Sequence, residues 1–137
     1  MQNLIYAFIQ VVHNFGAATV VGTAATALWV VRGNAALQHR LAWLLAVVWA
    51  VQAASGTGFG IATFYFEGHL PDIHGIAVIA LCIKIACAMT GFVLAAAYIK
   101  WDSGWTAKQQ LVAWRASLIL AATALSAAAF LLSLIHI

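Results

Sequence analysis

Charged residues are scarce in this sequence. Its 137 residues include six Lys or Arg and three Asp or Glu, which together make up 7% of the chain. A soluble domain of this length carries about 25% charged residues, so this chain lacks the polar surface that a globule needs in water. Because 66% of the residues are hydrophobic and the mean hydropathy is +1.02, we predict an integral membrane protein in contact with the lipid bilayer.

Other patterns are missing as well. The net charge of +3 is small and the basic residues are scattered, which argues against binding to nucleic acid. Cys82 and Cys87 lie five positions apart, not in a C-x-x-C arrangement, and are interpreted as two buried thiols. The first apolar segment is too long for a signal peptide and has no basic flank, so we expect a retained span. With no linker or low-complexity tract, residues 1–137 are interpreted as one domain.

Four apolar runs remain, at about 4–31, 41–66, 73–99 and 114–135. Each reaches the roughly 20 residues that a helix needs to cross the hydrocarbon core. None alternates between polar and apolar residues, which argues against a closed barrel. Short connections make neighbouring helices antiparallel. The predicted fold is therefore an all-α, integral membrane four-helix bundle with up-down-up-down topology.

The charges in the connections predict its orientation. The first and third connections are basic and the second is acidic. The basic residues are Arg32, Arg40, Lys100 and Lys108, and the acidic ones are Glu67 and Asp72. Positive charge in short loops marks the cytoplasmic side, so we expect both termini outside. Five tryptophans flank the basic connections and are predicted to form an interfacial belt: Trp29, Trp43, Trp101, Trp105 and Trp114.

Histidine provides the first functional candidates, because ionisable residues inside a membrane are rare and usually functional. His13 lies well inside the first span, with the small residues Gly16 and Ala17 one helical turn further on. Counting from the basic connections places Gly56, Gly58 and Gly60 of the second span roughly level with His13, with Gly58 taken as the candidate at the haem. Imidazoles on neighbouring helices hold b-type haem in membrane bundles, and glycines leave room for the porphyrin. The alternative is a structural histidine that bonds a facing helix.

Depth limits the choice of a second haem ligand. Along ideal helices, His13 lies about 28 Å from Arg32 and His74 lies about 39 Å from Lys100. His136 lies about 31 Å from Arg115 or about 42 Å from Lys108 by the same estimate. We therefore favour His13 with His74 as the pair of iron ligands, and retain His74 with His136 as the alternative.

Lys84 is the other unusual residue, because it lies about 24 Å from Lys100 along the third span. None of the three acidic residues lies at its depth. Its partner should therefore be water, a backbone carbonyl, the acid group of a bound ligand or another subunit. The alternative is that the long side chain snorkels to the outer surface.

Three segments carry a resemblance to a known group of proteins. They are HNFGAATVVGTAATALW around His13, VQAASGTG in the second span and KIACAMTGFVLAAAYIK in the third. This pattern resembles small bacterial four-helix membrane proteins, which include di-haem cytochromes of the b561 type and the membrane domain of copper-resistance D proteins. The resemblance implies the bacterial inner membrane. A second haem would need a ligand pair near the inner face, where only His39 is present, so the sequence supports one haem.

The leading hypothesis is a small cytochrome b-like subunit. It would bind one b haem in the outer half of the bilayer and relay electrons between quinone and an outer-face partner, alongside other membrane or periplasmic subunits. One alternative is a non-catalytic accessory subunit of a larger membrane enzyme. The other is a copper-resistance D-like protein that passes a soft ion through its histidines, Met89 and the cysteines, although these lack a recognisable ligand spacing.

Overall fold

The computed structural model describes residues 1–69 and 73–135, with side chains up to residue 130. These residues form four long helices joined by short connections. They are α1 (Gln2–Ala25, continued by a π-helical turn at Thr26–Val30), α2 (Ala35–Glu67), α3 (Ile76–Trp101, followed by a 3-10 turn at Asp102–Gly104) and α4 (Ala107–Ile135). The predicted all-α, four-helix fold is confirmed. All four helices are long and apolar enough to cross a membrane.

Two helices begin at least six residues earlier than the predicted spans. α2 begins at Ala35 and α4 at Ala107, because capping residues lie in the polar connections. The side-chain oxygen of Asn34 accepts a hydrogen bond (3.1 Å) from a backbone N–H in the first turn of α2. Thr106 and Gln109 each accept a hydrogen bond from the other's backbone N–H, at 2.8 and 3.3 Å. Hydropathy predicts the part of a helix that can lie in the hydrocarbon core. It does not predict the residue at which the helix begins.

The helices pack in a ring around one core. α1 packs on α2, α2 on α3, α3 on α4, and α4 returns to α1. Tyr6 of α1 bonds Thr63 of α2, whereas the carbonyl of Ala27, later in the first span, accepts a hydrogen bond from Gln38, early in α2. α1 and α2 therefore run in opposite directions.

One half of this ring, which we call the basic half, is filled by aromatic rings and buried polar groups. It surrounds Gln38, Tyr98, Trp105 and Trp114, next to the two basic connections. The ring of Tyr98 lies 5.0 Å from that of Trp114 and 5.6 Å from that of Trp105, measured between centroids. Trp114 is only 2% exposed. Large side chains therefore close the space between the helices here.

A π-helical turn at the end of the first span supplies this half with a hydrogen-bond acceptor. The backbone N–H of Val31 bonds the carbonyl of Thr26, five residues earlier, at 3.0 Å. The carbonyl of Ala27, which would take that N–H in an α-helix, instead accepts a hydrogen bond (3.0 Å) from Gln38 Nε2. Gln38 Oε1 in turn accepts a hydrogen bond from the Tyr98 hydroxyl at 3.3 Å. The buried amide thus has partners at both ends.

The predicted tryptophan belt is only partly correct. Trp29, Trp43 and Trp101 are more than half exposed, as side chains at a membrane interface should be. Trp114 is buried in the core, and Trp105 is half-buried against Tyr98. The interfacial prediction is wrong for Trp114, because its position on α4 turns the ring inward. Position near a basic connection does not reveal the direction in which a side chain points.

Candidate functional site

The other half of the ring, which we call the cavity half, is not filled. All four helices line a cavity of about 890 Å³, within the range of about 300–1,000 Å³ typical of small-molecule sites. Most lining side chains are apolar, and α4 contributes mainly alanines. The lining includes His13 of α1; Trp49, Gln52 and Gly56 of α2; Lys84, Ala88 and Phe92 of α3; and Ala121, Ala124, Leu125 and Ala128 of α4. Small side chains leave this space open.

His13 and Lys84 meet at the wall of the cavity. Lys84 Nζ lies 2.6 Å from His13 Nε2, and both side chains are half-buried. α1 and α3 thus bring together two residues that the sequence had selected separately. The partner of Lys84 is an imidazole of the same chain, a group that was absent from the partners expected from the sequence.

A network of hydrogen bonds from α2 fixes the orientation and tautomer of His13. Its Nδ1 lies 2.8 Å from Ser55 Oγ, and the Ser55 hydroxyl donates its own hydrogen to the carbonyl of Gln52 at 3.2 Å. Ser55 Oγ therefore accepts, and the imidazole carries its hydrogen on Nδ1. This leaves a lone pair on Nε2 to accept a hydrogen bond from Lys84. Gln52 Nε2 also donates to the backbone carbonyl of His13 at 2.7 Å.

The ammonium group of Lys84 is not neutralised by this arrangement. Among the side chains described, up to residue 130, the ion pair is that of His39 with Asp102, and no carboxylate pairs with Lys84. An ammonium group has three N–H donors, of which His13 accepts one. Two donors and one positive charge remain at the wall of a largely apolar cavity.

The glycines selected from the sequence have different surroundings. Gly16 is buried, and a Cβ atom placed on it would overlap the amide of Gln52, so its small size permits contact between α1 and α2. A Cβ atom on Gly56 would lie 3.9 Å from His13 Cε1, and Gly56 lines the cavity. A Cβ atom on Gly58 would have nothing within 4 Å. Of the glycines predicted to lie level with His13, Gly56 is therefore the one beside it, about half a helical turn from Gly58.

The two other candidate histidines lie away from this network or outside the described residues. His74 precedes α3 by two residues, and Lys84 lies about 12 Å along that helix from its first residue, Ile76. His136, like Asp72 of the acidic connection, lies outside the described residues. Both ring nitrogens of His13 have partners in the bundle, so binding of iron by His13 with His74 would first require His13 to lose one of them.

Two residues of the network, Gln52 and Ser55, were not selected from the sequence. Both side chains are neutral, so they lack the charge that makes Lys84 and His13 conspicuous in an apolar span. Gln52 and Ser55 are three positions apart on one helical face, inside an otherwise apolar run. A buried amide without a partner costs free energy, so this spacing is a sequence pattern that indicates polar contacts with a facing helix.

The cysteines do not assemble a metal site. The interpretation of two buried thiols is correct for Cys87 and wrong for Cys82, which is exposed, because the two residues lie on different faces of α3. Across residues 1–69 and 73–135, no three His, Cys, Asp or Glu side chains are grouped closely enough to hold a metal ion. These residues therefore provide no set of ligands that would support the copper hypothesis in that part of the chain.

Comparisons with protein-family profiles, with curated proteins and with solved structures find no match to this chain. The chemistry of the cavity and of its Lys84–His13 pair is therefore the basis for assigning a function.

Proposed function

We propose that this chain is a multi-pass membrane protein that binds an amphipathic small molecule between its four helices. The polar end of the ligand would bind at Lys84 and His13, and its apolar part would fill the cavity half. The main supporting observation is the contact of 2.6 Å between Lys84 Nζ and His13 Nε2 at the wall of an 890 Å³ cavity.

The free-energy cost of this arrangement supports a ligand. Moving an ammonium group from water into a protein interior costs several kcal/mol unless partners replace its hydration. A single neutral imidazole replaces only one of the three hydrogen bonds that Lys84 makes in water. A bound polar group would supply the rest, and apolar atoms beside it would cover the alanine-lined wall.

Topology and location form part of this proposal. The chain would cross the bacterial inner membrane four times, up-down-up-down, with both termini outside. The positive charge of the first and third connections supports this orientation. A reporter enzyme that is active only in the periplasm should be active when it is fused after Ile137. If instead a reporter that works only in the cytoplasm is active at that position, every assignment of sides would be reversed.

The b-haem hypothesis is a second candidate, and the position of His13 at the cavity wall, with room beside it at Gly56, favours it. A bound haem would supply one-electron chemistry, with quinone as the proposed exchange partner. As the residues are arranged, however, the haem fits poorly, because the lone pair of His13 Nε2 accepts a hydrogen bond from Lys84. Haem binding with His13 and His74 as ligands would require this bond to break.

One set of measurements separates these candidates. The protein is purified in a mild nonionic detergent, its absorption spectrum is recorded, and bound molecules are extracted and identified by mass spectrometry. We expect about one amphipathic molecule per chain. Ala128→Phe, which fills the cavity, should remove it, whereas Ala122→Phe on the exposed face of α4 should not.

The other outcomes are equally distinct. A Soret band that disappears in both His13→Ala and His74→Ala would establish the haem candidate in place of our main proposal. Absence of any ligand or pigment, together with other chains that co-purify, would support the accessory-subunit alternative and contradict the ligand-binding proposal.

A further inference from the structure

The charge at the cavity wall specifies the ligand more closely. We propose that the cavity binds a single-chain amphiphile with a carboxylate head, the chemical class of the fatty acids, with the carboxylate at Lys84. This inference rests on the proposed ligand-binding function and adds the charge of the ligand's head and the number of its apolar chains.

The chemistry of the ligand's head group is inferred from the hydrogen-bond donors that have no partner within the bundle. His13 Nε2 accepts one N–H of Lys84, and His13 Nδ1–H and the Ser55 hydroxyl are used within the network. Two N–H donors and one positive charge remain on Lys84, and no described carboxylate pairs with it. A carboxylate has two acceptor oxygens and one negative charge, so it matches both. A neutral carbonyl would satisfy a donor but leave the charge uncompensated.

The apolar part of the ligand follows from the shape and lining of the cavity. From Lys84 the cavity continues along α3 past Ala88 to Phe92, about 12 Å on an ideal helix. Alanines of α4 and the ring of Trp49 form the facing walls. Apart from the indole N–H of Trp49, which is buried without a hydrogen-bond partner among the described residues, these surfaces offer apolar contact and no second charge. This suits a hydrocarbon chain that extends from the head at Lys84.

The volume of the cavity indicates a ligand with one hydrocarbon chain. If a methylene group takes up about as much space as a water molecule, about 30 Å³, then an eighteen-carbon chain takes up roughly 540 Å³. Two such chains would need roughly 1,080 Å³ by the same estimate, which exceeds the 890 Å³ available. A diacyl phospholipid therefore fits the cavity less well than a fatty acid.

Fluorescence quenching can test this, because Trp49 lines the cavity. Bromine atoms quench tryptophan only at close range, so dibromostearic acid in the cavity should quench Trp49. The protein is titrated in nonionic detergent at about pH 8, where a carboxylic acid is ionised, and Trp49→Phe corrects for the other tryptophans. Dibromostearic acid should bind about tenfold more tightly than its uncharged methyl ester, as expected when a hydrogen bond to a charged group is gained.

Variants of Lys84 test whether this residue causes the preference for the acid over the ester. Lys84→Met should bind the acid and the ester equally, and Lys84→Arg, which keeps the charge, should restore the preference for the acid. Should Lys84→Met fail to fold, the comparison of acid and ester in the wild-type protein still tests the proposal. Ala128→Phe should weaken both ligands, whereas Ala122→Phe should change neither.

Each contrary result has a separate meaning. Equal binding of the acid and the ester by the wild-type protein would overturn the carboxylate proposal and leave the ligand-binding cavity intact. Tighter binding of a dibrominated phospholipid than of the acid would overturn the single-chain proposal. Failure of all three probes to quench Trp49 would contradict the proposed function itself.

Discussion

In the basic half, Tyr98, Trp105 and Trp114 fill the space between the helices, whereas α4 presents Ala121, Ala124 and Ala128 to the cavity half. The polar side chains between the helices differ in the same way. Gln38 has protein partners at both ends of its amide, but Lys84 retains two N–H donors and an uncompensated charge. The basic half is closely packed and pairs its buried amide, although the buried indole N–H of Trp114 has no hydrogen-bond partner among the described residues, and this packing contributes stability. A half that leaves space and donors can accept a ligand.

The largest difference expected between the two halves is in the free energy of unfolding that is lost when a large side chain is truncated. Trp114→Ala in the basic half should lower the free energy of unfolding by about 3–5 kcal/mol, since it removes a large buried ring. Leu125→Ala in the cavity half should cost much less, because that side chain is 46% exposed and borders open space. Unfolding in detergent with increasing dodecyl sulfate would measure both. Equal losses would show that the two halves are packed alike.

The next effect concerns the buried amide. Gln38→Leu should cost about 1–3 kcal/mol for each polar group left without a partner. Those groups are the carbonyl of Ala27 and the hydroxyl of Tyr98. Tyr98→Phe removes only the weaker bond and should cost less. The double variant should lose less than the sum of the two, and full additivity would show that the two residues do not interact.

A smaller but still measurable effect is expected at Gly91, where the two halves meet. A Cβ atom there would lie 2.5 Å from the indole of buried Trp49. Gly91→Ala should therefore destabilise the protein by about 1–3 kcal/mol, as overpacking usually does. Gly22→Ala, where a Cβ would meet nothing within 4 Å, serves as the control. A cost for Gly91→Ala no larger than that of the control would show that Trp49 can move into the cavity without loss.

The sequence predicted the helices better than it predicted the directions of side chains. Four apolar runs were sufficient for the all-α fold, since lipid requires each span to satisfy its own backbone hydrogen bonds. The orientation of each helix about its axis depends on packing between helices, which hydropathy does not contain. For this reason Trp114 was assigned to the membrane interface although it lies in the core.

The pairing of His13 with Lys84 was within reach of the sequence. Their estimated distances from the basic connections, about 28 and 24 Å, differ by less than one helical turn. The charge of Lys84 points to an acid or an external group as its partner, and the haem hypothesis uses the same nitrogen of His13 for iron, so neither pattern pairs the two residues. The network with Gln52 and Ser55, and the cavity beside it, depend on alanines of α4 that no local pattern distinguishes from ordinary packing residues.

The smallest effect is expected at the edge of the basic half, where His39 Nδ1 lies 2.7 Å from Asp102 Oδ2. This contact joins the start of α2 to the turn after α3, and it is the only ion pair among the described side chains. The side chain of His39 is 40% exposed, so water competes for both partners and salt screens any charge. His39→Gln should therefore lower the free energy of unfolding by less than about 1 kcal/mol, as is usual for exposed pairs. Raising the salt concentration should reduce the difference from wild type further. A loss as large as that of Gln38→Leu would mean that the connections, not the buried rings and amide, determine the stability of the basic half.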